Sequence, residues 1–382
     1  MRSVQRNILL TPGPATTTDT VKFAQIVPDI CPREPEFGQL MESISTDLTA
    51  IVADEKQYTA VLFGGSGTAA MDAVLSSVIG EGTIIIINNG AYGQRMYEIA
   101  TVYGLHFIEF VSPPDKPVDL SALEQILKLT HTPITHLTVV HHETTTGLLN
   151  NINAIGELCK AYQVELIVDA ISSFGAVPIQ MEDMNISYLI ASSNKNVQGL
   201  PGVSFVIAHR QKFEGLQHVR RRSYYLNLYD QYKYFLQHNQ MRFTAPIQTL
   251  YALRQAINEF MLEGIEQRYT RYTQSWESLT QGIHRLGLNH IVAEEHHSKL
   301  LTSIIEPICE GYDFQKMHDF FYTKGFTIYP GKVEKLNTFR IANIGDITHH
   351  DIDAFLVLLE IYLRDIGFPL REAVITYESK QK

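Results

Sequence analysis

A single lysine, Lys195, lies in the stretch SYLIASSNKNVQG at 187–199, just after an apolar run and a short polar patch. Taking its ammonium out of water costs several kcal/mol unless it is paired. Either it snorkels to solvent, the ordinary fate of a lone lysine, or it does chemistry. A second candidate, Asp169, ends the apolar run of VELIVDAISSFG at 164–175. At the carboxyl edge of a parallel sheet such a carboxylate faces the crevice where ligands bind; the plainer reading is a cap on the turn through Ser172 or Ser173. A third feature is TAVLFGGSGTAAMDAV at 59–74, a strand followed by a glycine-rich turn and a helix. Free backbone N–H groups at the positive end of that helix would seat an anion.

Gly65, Gly67 and Ala70 also satisfy a loose dinucleotide-binding pattern, which would suggest an NAD-dependent dehydrogenase. The following strand, TIIIINNG, ends in Asn88 and Asn89 and lacks the acid that would hold a ribose. That reading also leaves Lys195 and Asp169 idle. One cofactor uses an anion seat, a buried carboxylate and an amine together: pyridoxal 5'-phosphate. Its phosphate would go to the helix N-terminus and its protonated ring nitrogen to Asp169. Lys195 would hold its aldehyde as a Schiff base, then serve as general base and acid.

The elements that must position these groups are legible as short β-branched runs: TAVLF (59–63), TIIIIN (83–88), HLTVVH (136–141), VELIVDA (164–170), SYLIAS (187–192) and VSFVIA (203–208). Runs apolar on both faces suit strands covered by helices on both sides. The intervening GTAAMDAVLSSVIG and NAIGELCKAYQ carry apolar residues at spacings of three and four, as amphipathic helices do. The pattern predicts an α/β protein with a mostly parallel sheet. After Thr249 a long amphipathic stretch reads as one bridging helix, followed by a smaller α+β domain with strands near KLLTSIIE, GFTIYPGK and FRIANIG. The expected division is a large domain with an N-terminal arm over 1–255 and a small C-terminal domain over 256–382. The last residues, ESKQK, read as a frayed tail.

Across 382 residues, 31 Lys and Arg stand against 41 Asp and Glu, and the formal charge of −10 repels nucleic acid backbones. Three distant cysteines form no disulfide framework or metal motif, and no apolar run is long enough to span a bilayer. A cytoplasmic protein without metal is expected.

With those residues in view, the chain resembles the class V aminotransferases of pyridoxal phosphate fold type I. The likeness runs through LLTPGP (9–14), GGSG (64–67), NNGAYGQRM (88–96), HHETTTGLLN (141–150), VDAISSFG (168–175), SSNKNVQGLPG (192–202), RFTAP (242–246), and IYPGKV with FRIANIG (328–345). The resemblance implies a seven-stranded, mostly parallel sheet in the large domain. It makes Lys195 the aldimine lysine, Asp169 the ring-nitrogen partner, and Ser66, Gly67 and Thr68 the phosphate loop. Tyr92 would stack on the pyridine, and either Thr144 or Thr145 would sit near the ring hydroxyl. Thr244 would reach the phosphate of a neighbouring subunit, implying a homodimer with shared sites. The basic, aromatic segment VRRRSYYLNLYDQYKYF (219–235) would be a flap or interface element.

Arg340 would bind the acid group of the substrate. The implied reaction is ping-pong transamination between an amine donor, here expected to be 2-aminoethylphosphonate, and pyruvate. Alanine:glyoxylate and serine:pyruvate transamination are the alternatives within the fold, and a noncatalytic binding protein is a third. Two departures from the family pattern are visible: Ala342 in place of a glycine in FRIANIG, and NVQGL after Lys195 where CIQGV is usual.

Overall fold

The computed structural model describes residues 4, 6–331 and 336–370; the expected tail at 378–382, and Lys332 and Val333 of the IYPGKV motif, lie outside them. The large sheet is formed by β1 (Tyr58–Gly64), β2 (Thr83–Asn88), β3 (Phe107–Val111), β4 (Ile134–Val140), β5 (Glu165–Asp169), β6 (Ile186–Ser192) and β7 (Val203–His209). Its seven strands run in the order β1-β7-β6-β5-β4-β2-β3. All pairings are parallel except those of β7, which is antiparallel to both β1 and β6. Six strands coincide with the predicted runs.

The seventh, β3, is the edge strand FIEFV. Its Glu109 interrupts the apolar run and Val111 is 72 % exposed, because an edge strand covered on one face needs no continuous hydrophobicity. By contrast every residue of β6 is buried. Two apolar layers pack on the two faces: Ile85, Leu137, Val168 and Leu189 on one, and Ile84, Ile86, Ile167 and Ile190 on the other. Alternation along each strand sends successive side chains to opposite layers.

Helix α1 (Gly67–Val78) follows β1 and helix α2 (Ala91–Val102) follows β2. The stretch read as one bridging helix is two, α3 (Ile247–Glu263) and α4 (Ile265–Arg285), separated at Gly264, whose φ of +81° suits glycine. Buried residues Leu250, Leu253 and Ile257 of α3 join the core of the large sheet. Leu279 and Ile283 of α4 belong to the C-terminal core.

That C-terminal core packs a three-stranded antiparallel sheet of β8 (Leu301–Ile305), β9 (Tyr329–Pro330) and β10 (Thr338–Ala342), in the order β8-β10-β9. Helix α5 (His349–Asp365) supplies Ile352, Phe355, Leu359 and Leu363 to it. The N-terminal segment joins this part too. Ile8–Leu9 pairs in parallel with Phe326–Thr327, and the Ala342 N–H donates to the Leu10 carbonyl at 3.1 Å. Among the described residues, no helix is long and apolar enough to cross a membrane.

Candidate active site

The candidate residues leave the sheet at its carboxyl ends, where open α/β sheets bind ligands. Asp169 is the last residue of β5, Lys195 lies three residues beyond β6, Gly65–Thr68 follow β1, Tyr92 follows β2, and Thr144 and Thr145 follow β4. Lys195 is 8 % exposed and Asp169 2 % exposed. They sit close enough for the ammonium to draw the Asp169 carboxyl downward. Burial outweighs this pull and the hydrogen bond from the Ile171 N–H, 2.9 Å from Oδ1. The Asp169 carboxyl is thereby pushed up to about 7, with Glu143 adding to the rise.

The LLTPGP motif gains a position. Lys195 Nζ donates to the Pro12 carbonyl, and the Ala15 N–H donates to the Asn194 carbonyl at 3.0 Å. The N-terminal segment therefore lies across the lysine. Gly13 has φ +135°, and a Cβ there would collide with the lysine side chain. Both requirements call for glycine.

At the anion seat, Ser66 is the N-cap residue of α1 and makes no side-chain capping bond. Its exposure leaves the first turn of α1 facing the crevice edge. Arg95, from α2, donates to Thr68 Oγ1 at 3.1 Å and its Cζ sits 4.8 Å from the centre of the Tyr92 ring. A guanidinium at an uncapped helix N-terminus makes a strongly anion-attracting corner.

The two threonines left open by the sequence differ sharply. Thr145 Oγ1 donates to Glu143 Oε1 and accepts from the Ala91 N–H at 3.1 Å. Thr144 is 2 % exposed, and its buried Oγ1 makes no hydrogen bond. Arg340, on β10, is 1 % exposed. It donates from Nη1 to the Thr144 carbonyl at 3.0 Å and from Nε to the Pro330 carbonyl at 2.9 Å. Burial lowers its pKa, opposed by Tyr92, Glu143 and Tyr329. The C-terminal domain thus brings its arginine to the threonine tract of the large sheet.

Thr244 is exposed on the loop before α3, beside Phe63, Gly64, Tyr225 and Phe243. No hydrogen bond among the described residues ties it to the groups around Lys195. The Tyr225 ring of the basic, aromatic segment stacks on Phe243 at 5.0 Å between centroids. Arg222 donates to the Ile79 and Gly80 carbonyls at 2.5 and 3.2 Å, beyond the end of α1.

Sequence reasoning missed Glu143, Arg95, His142 and the Pro12 carbonyl. Glu143 and Arg95 lie inside quoted motifs, and a signal was present: a charged residue flanked by sheet-end loops of small residues. His142 is buried and neutral, its pKa brought down to about 4 by burial and by Lys195. The Ser172 carbonyl, 3.0 Å from Nδ1, can only accept, so Nδ1 carries the proton. Nε2 then accepts the Ser298 hydroxyl at 2.9 Å. This bridge links the loop beyond Asp169 to the C-terminal domain.

Fold and site together define a class. The sequence matches the family described as Aminotransferase class-V over residues 29–332, and the chain belongs to that family; it is an aminotransferase.

Among curated relatives, the 2-aminoethylphosphonate--pyruvate transaminase of Bacillus cytotoxicus is 41% identical over 349 residues, covering 90% of this chain and 94% of the relative. The protein of the same name from Klebsiella pneumoniae is 40% identical over 357 residues, covering 92% and 96%. Among solved structures, an alanine--glyoxylate aminotransferase from Nostoc sp. superposes with a TM-score of 0.87 at 27% identity, covering 95% of this chain and 97% of the other. A pyridoxamine-pyruvate aminotransferase from Mesorhizobium loti reaches a TM-score of 0.88 at 23% identity, covering 96% and 94%, a likeness of fold.

Proposed function

We propose that this aminotransferase binds pyridoxal 5'-phosphate at the carboxyl ends of its large sheet and converts 2-aminoethylphosphonate and pyruvate into phosphonoacetaldehyde and L-alanine by a ping-pong sequence. The observation that carries the reading is the meeting of buried Lys195 and Asp169 beside an uncapped helix N-terminus, in a chain whose curated relatives at 40–41% identity bear the name of that reaction.

The residues present suit the cofactor. Thr144 Oγ1 is a buried hydroxyl still able to donate and accept, which favours Thr144 over Thr145 for the ring hydroxyl. Asp169, raised by burial to about 7 despite the pull of Lys195 and Arg95, would be held ionised by a protonated ring nitrogen. Ser66, Gly67 and Thr68, with Arg95, would hold the phosphate, and Tyr92 would lie against the ring. When bound, the cofactor supplies the aldehyde that condenses with amines and the ring that accepts the electron pair left at Cα.

The chain's own residues do the rest. Lys195 would hold the cofactor's aldehyde until a substrate amine replaced it. Once freed, its neutral amine would take the proton from the substrate Cα and deliver it to the former aldehyde carbon, two bonds away across the shared nitrogen. Pro12, Gly13 and Ala15 lie across Lys195 and restrict water around that transfer. Arg340, fixed by two carbonyls, offers its remaining N–H groups to the carboxylate of pyruvate and then to the phosphonate. Pairing with either acid would satisfy a buried charge that no carboxylate among the described residues neutralises at ion-pair distance.

Thr244 and its aromatic neighbours would complete the site of a second copy, making the enzyme a homodimer. Sedimentation should find two chains per particle; a fully active monomer would exclude shared sites.

The substrate assignment is tested by mixing holoenzyme with one amine and no acceptor, following cofactor absorbance. 2-Aminoethylphosphonate should bleach the aldehyde form and pyruvate restore it. A fast response to alanine with none to 2-aminoethylphosphonate would favour the alanine:glyoxylate reading, which the Nostoc likeness keeps in view.

A further inference from the structure

Several helices supply their own N-terminal cap: Thr18, Asp119, Asn151, Asn227 and Asp313 each accept from their own first turn. Helix α2, which carries Tyr92 and Arg95 into the site, begins instead at Gly90, whose lack of a side chain precludes such a bond. Its orphan N–H groups are satisfied from the turn after β4. Tyr92 N–H donates to Glu143 Oε2 at 3.3 Å, and the Gly93 N–H also reaches that carboxylate. The Ala91 N–H donates to Thr145 Oγ1, whose hydroxyl in turn donates to Glu143 Oε1. The Thr145 N–H adds a bond to Oε1 at 2.9 Å.

We propose that Glu143 is a positioning residue, its carboxylate capping α2 from a separate segment so that Tyr92 and Arg95 are held in register with Lys195 and Asp169. Glu143 is fully buried. Its carboxylate fills the space a Cβ at Gly90 would take, so the glycine and the acid form a matched pair. A negative charge at a helix N-terminus is the favourable sign. Arg95 then ties α2 to Thr68 at the start of α1. One carboxylate thereby sets the spacing between the helix bearing the ring contact and the helix bearing the anion seat. The functional consequence rests on the proposed reading of the crevice; the capping itself does not.

Glu143→Gln tests it in the holoenzyme. The substitution preserves shape and an acceptor for Thr145, but presents an NH2 where Tyr92 and Gly93 donate. Hydrogen–deuterium exchange of peptides covering 88–96 should accelerate about tenfold, the local opening expected when a helix loses its N-cap. Exchange in β2 and β5 should be unchanged, and cofactor affinity should fall by a similar factor while global unfolding shifts little. Thr145→Val, which removes only the Ala91 acceptor and the relayed bond, should give the same pattern at smaller size, and it decides the matter if Glu143→Gln does not fold.

Unchanged exchange at 88–96, or equal acceleration throughout the sheet, overturns the proposal. Wild-type protein that shows no transamination of any amine, yet the expected exchange pattern in the variants, would remove the function and leave the capping in place.

Discussion

Arg268 and Arg340 are each 1 % exposed, yet they are buried in opposite ways. Arg268, on α4, donates from Nε to Glu263 Oε2 at 2.7 Å and from Nη1 to the Asn196 carbonyl at 2.5 Å. Its guanidinium lies 4.9 Å from the centre of the Phe260 ring. Arg271 takes the other Glu263 oxygen at 2.8 Å. Burial pushes the Glu263 carboxyl up, and the two arginines outweigh it and leave it lowered. Among the described residues Arg340 hydrogen-bonds only to carbonyls, with Glu143 acting at longer range. A buried cation with a carboxylate is neutralised in place and holds the fold. A buried cation held by carbonyls alone has charge left to pair with a ligand, which is the role proposed for Arg340.

The largest expected effect concerns the third buried cation, Lys195. On the proposed function, Lys195→Ala should lower turnover by several orders of magnitude, because its amine would serve as both nucleophile and proton carrier. Unfolding should change by at most a few kcal/mol, as for one lost polar group at a crevice rim. Steady-state activity retained in that variant would remove the assignment.

The two arginines should separate cleanly. Arg340→Met should lower kcat/KM for the keto acid by about a hundredfold, the loss of a charge-assisted pair worth roughly 3 kcal/mol. Its thermal stability should hold or rise, since a costly buried charge is removed. Arg268→Met should do the reverse, costing about 3 kcal/mol of unfolding free energy by stranding Glu263 with one partner. If Arg268→Met proved the more damaging to kcat/KM at unchanged stability, the contrast would fail.

The pH dependence of the apoprotein sharpens the same comparison. With its folded pKa raised to about 7, Asp169 keeps a proton that the unfolded chain has already lost. Its contribution to stability is therefore present at low pH and declines as pH rises from about 4 to about 7, by roughly 4 kcal/mol in all. His141 and His142, brought down to about 3 and about 4 by burial, act oppositely: they gain protons on unfolding, so stability climbs with pH up to about 6.5. Asp169→Asn should reduce the decline, to which the Glu143 carboxyl, also raised by burial, contributes, and leave the histidine rise; identical pH profiles for the two proteins would refute the burial argument.

The smallest effect is expected at the threonines. Thr144→Val should weaken the cofactor about fivefold, one neutral hydrogen bond, at little cost to the fold. An absorbance titration measures it.

Much of the sheet was readable because β1, β2 and β4 to β7 are covered on both faces and so are written as unbroken apolar runs. Edge strand β3 escaped, since an exposed face tolerates Glu109 and leaves no such run. The break at Gly264 was missed for a related reason: α3 and α4 are both amphipathic, and the rotation between them shows only in a backbone angle. Lys195 and Asp169 could be singled out because an ionisable side chain at the end of a buried strand has a cost that invites an explanation. Glu143 carried the same cost, but from the sequence it stood among hydroxyls and histidines, with no sign that a helix 51 residues earlier needed a cap.

Residue type and order alone determined the layered α/β plan and the groups able to form an amine, carboxylate and anion site, because burial patterns and strand ends are local properties of the chain. Only the folded chain decided which threonine hydroxyl stays unbonded, that the N-terminal segment crosses Lys195, and which buried arginine is neutralised. Those facts depend on distances between segments far apart in sequence, and hydrogen-bond competition over a few ångströms leaves no trace in a string of residues.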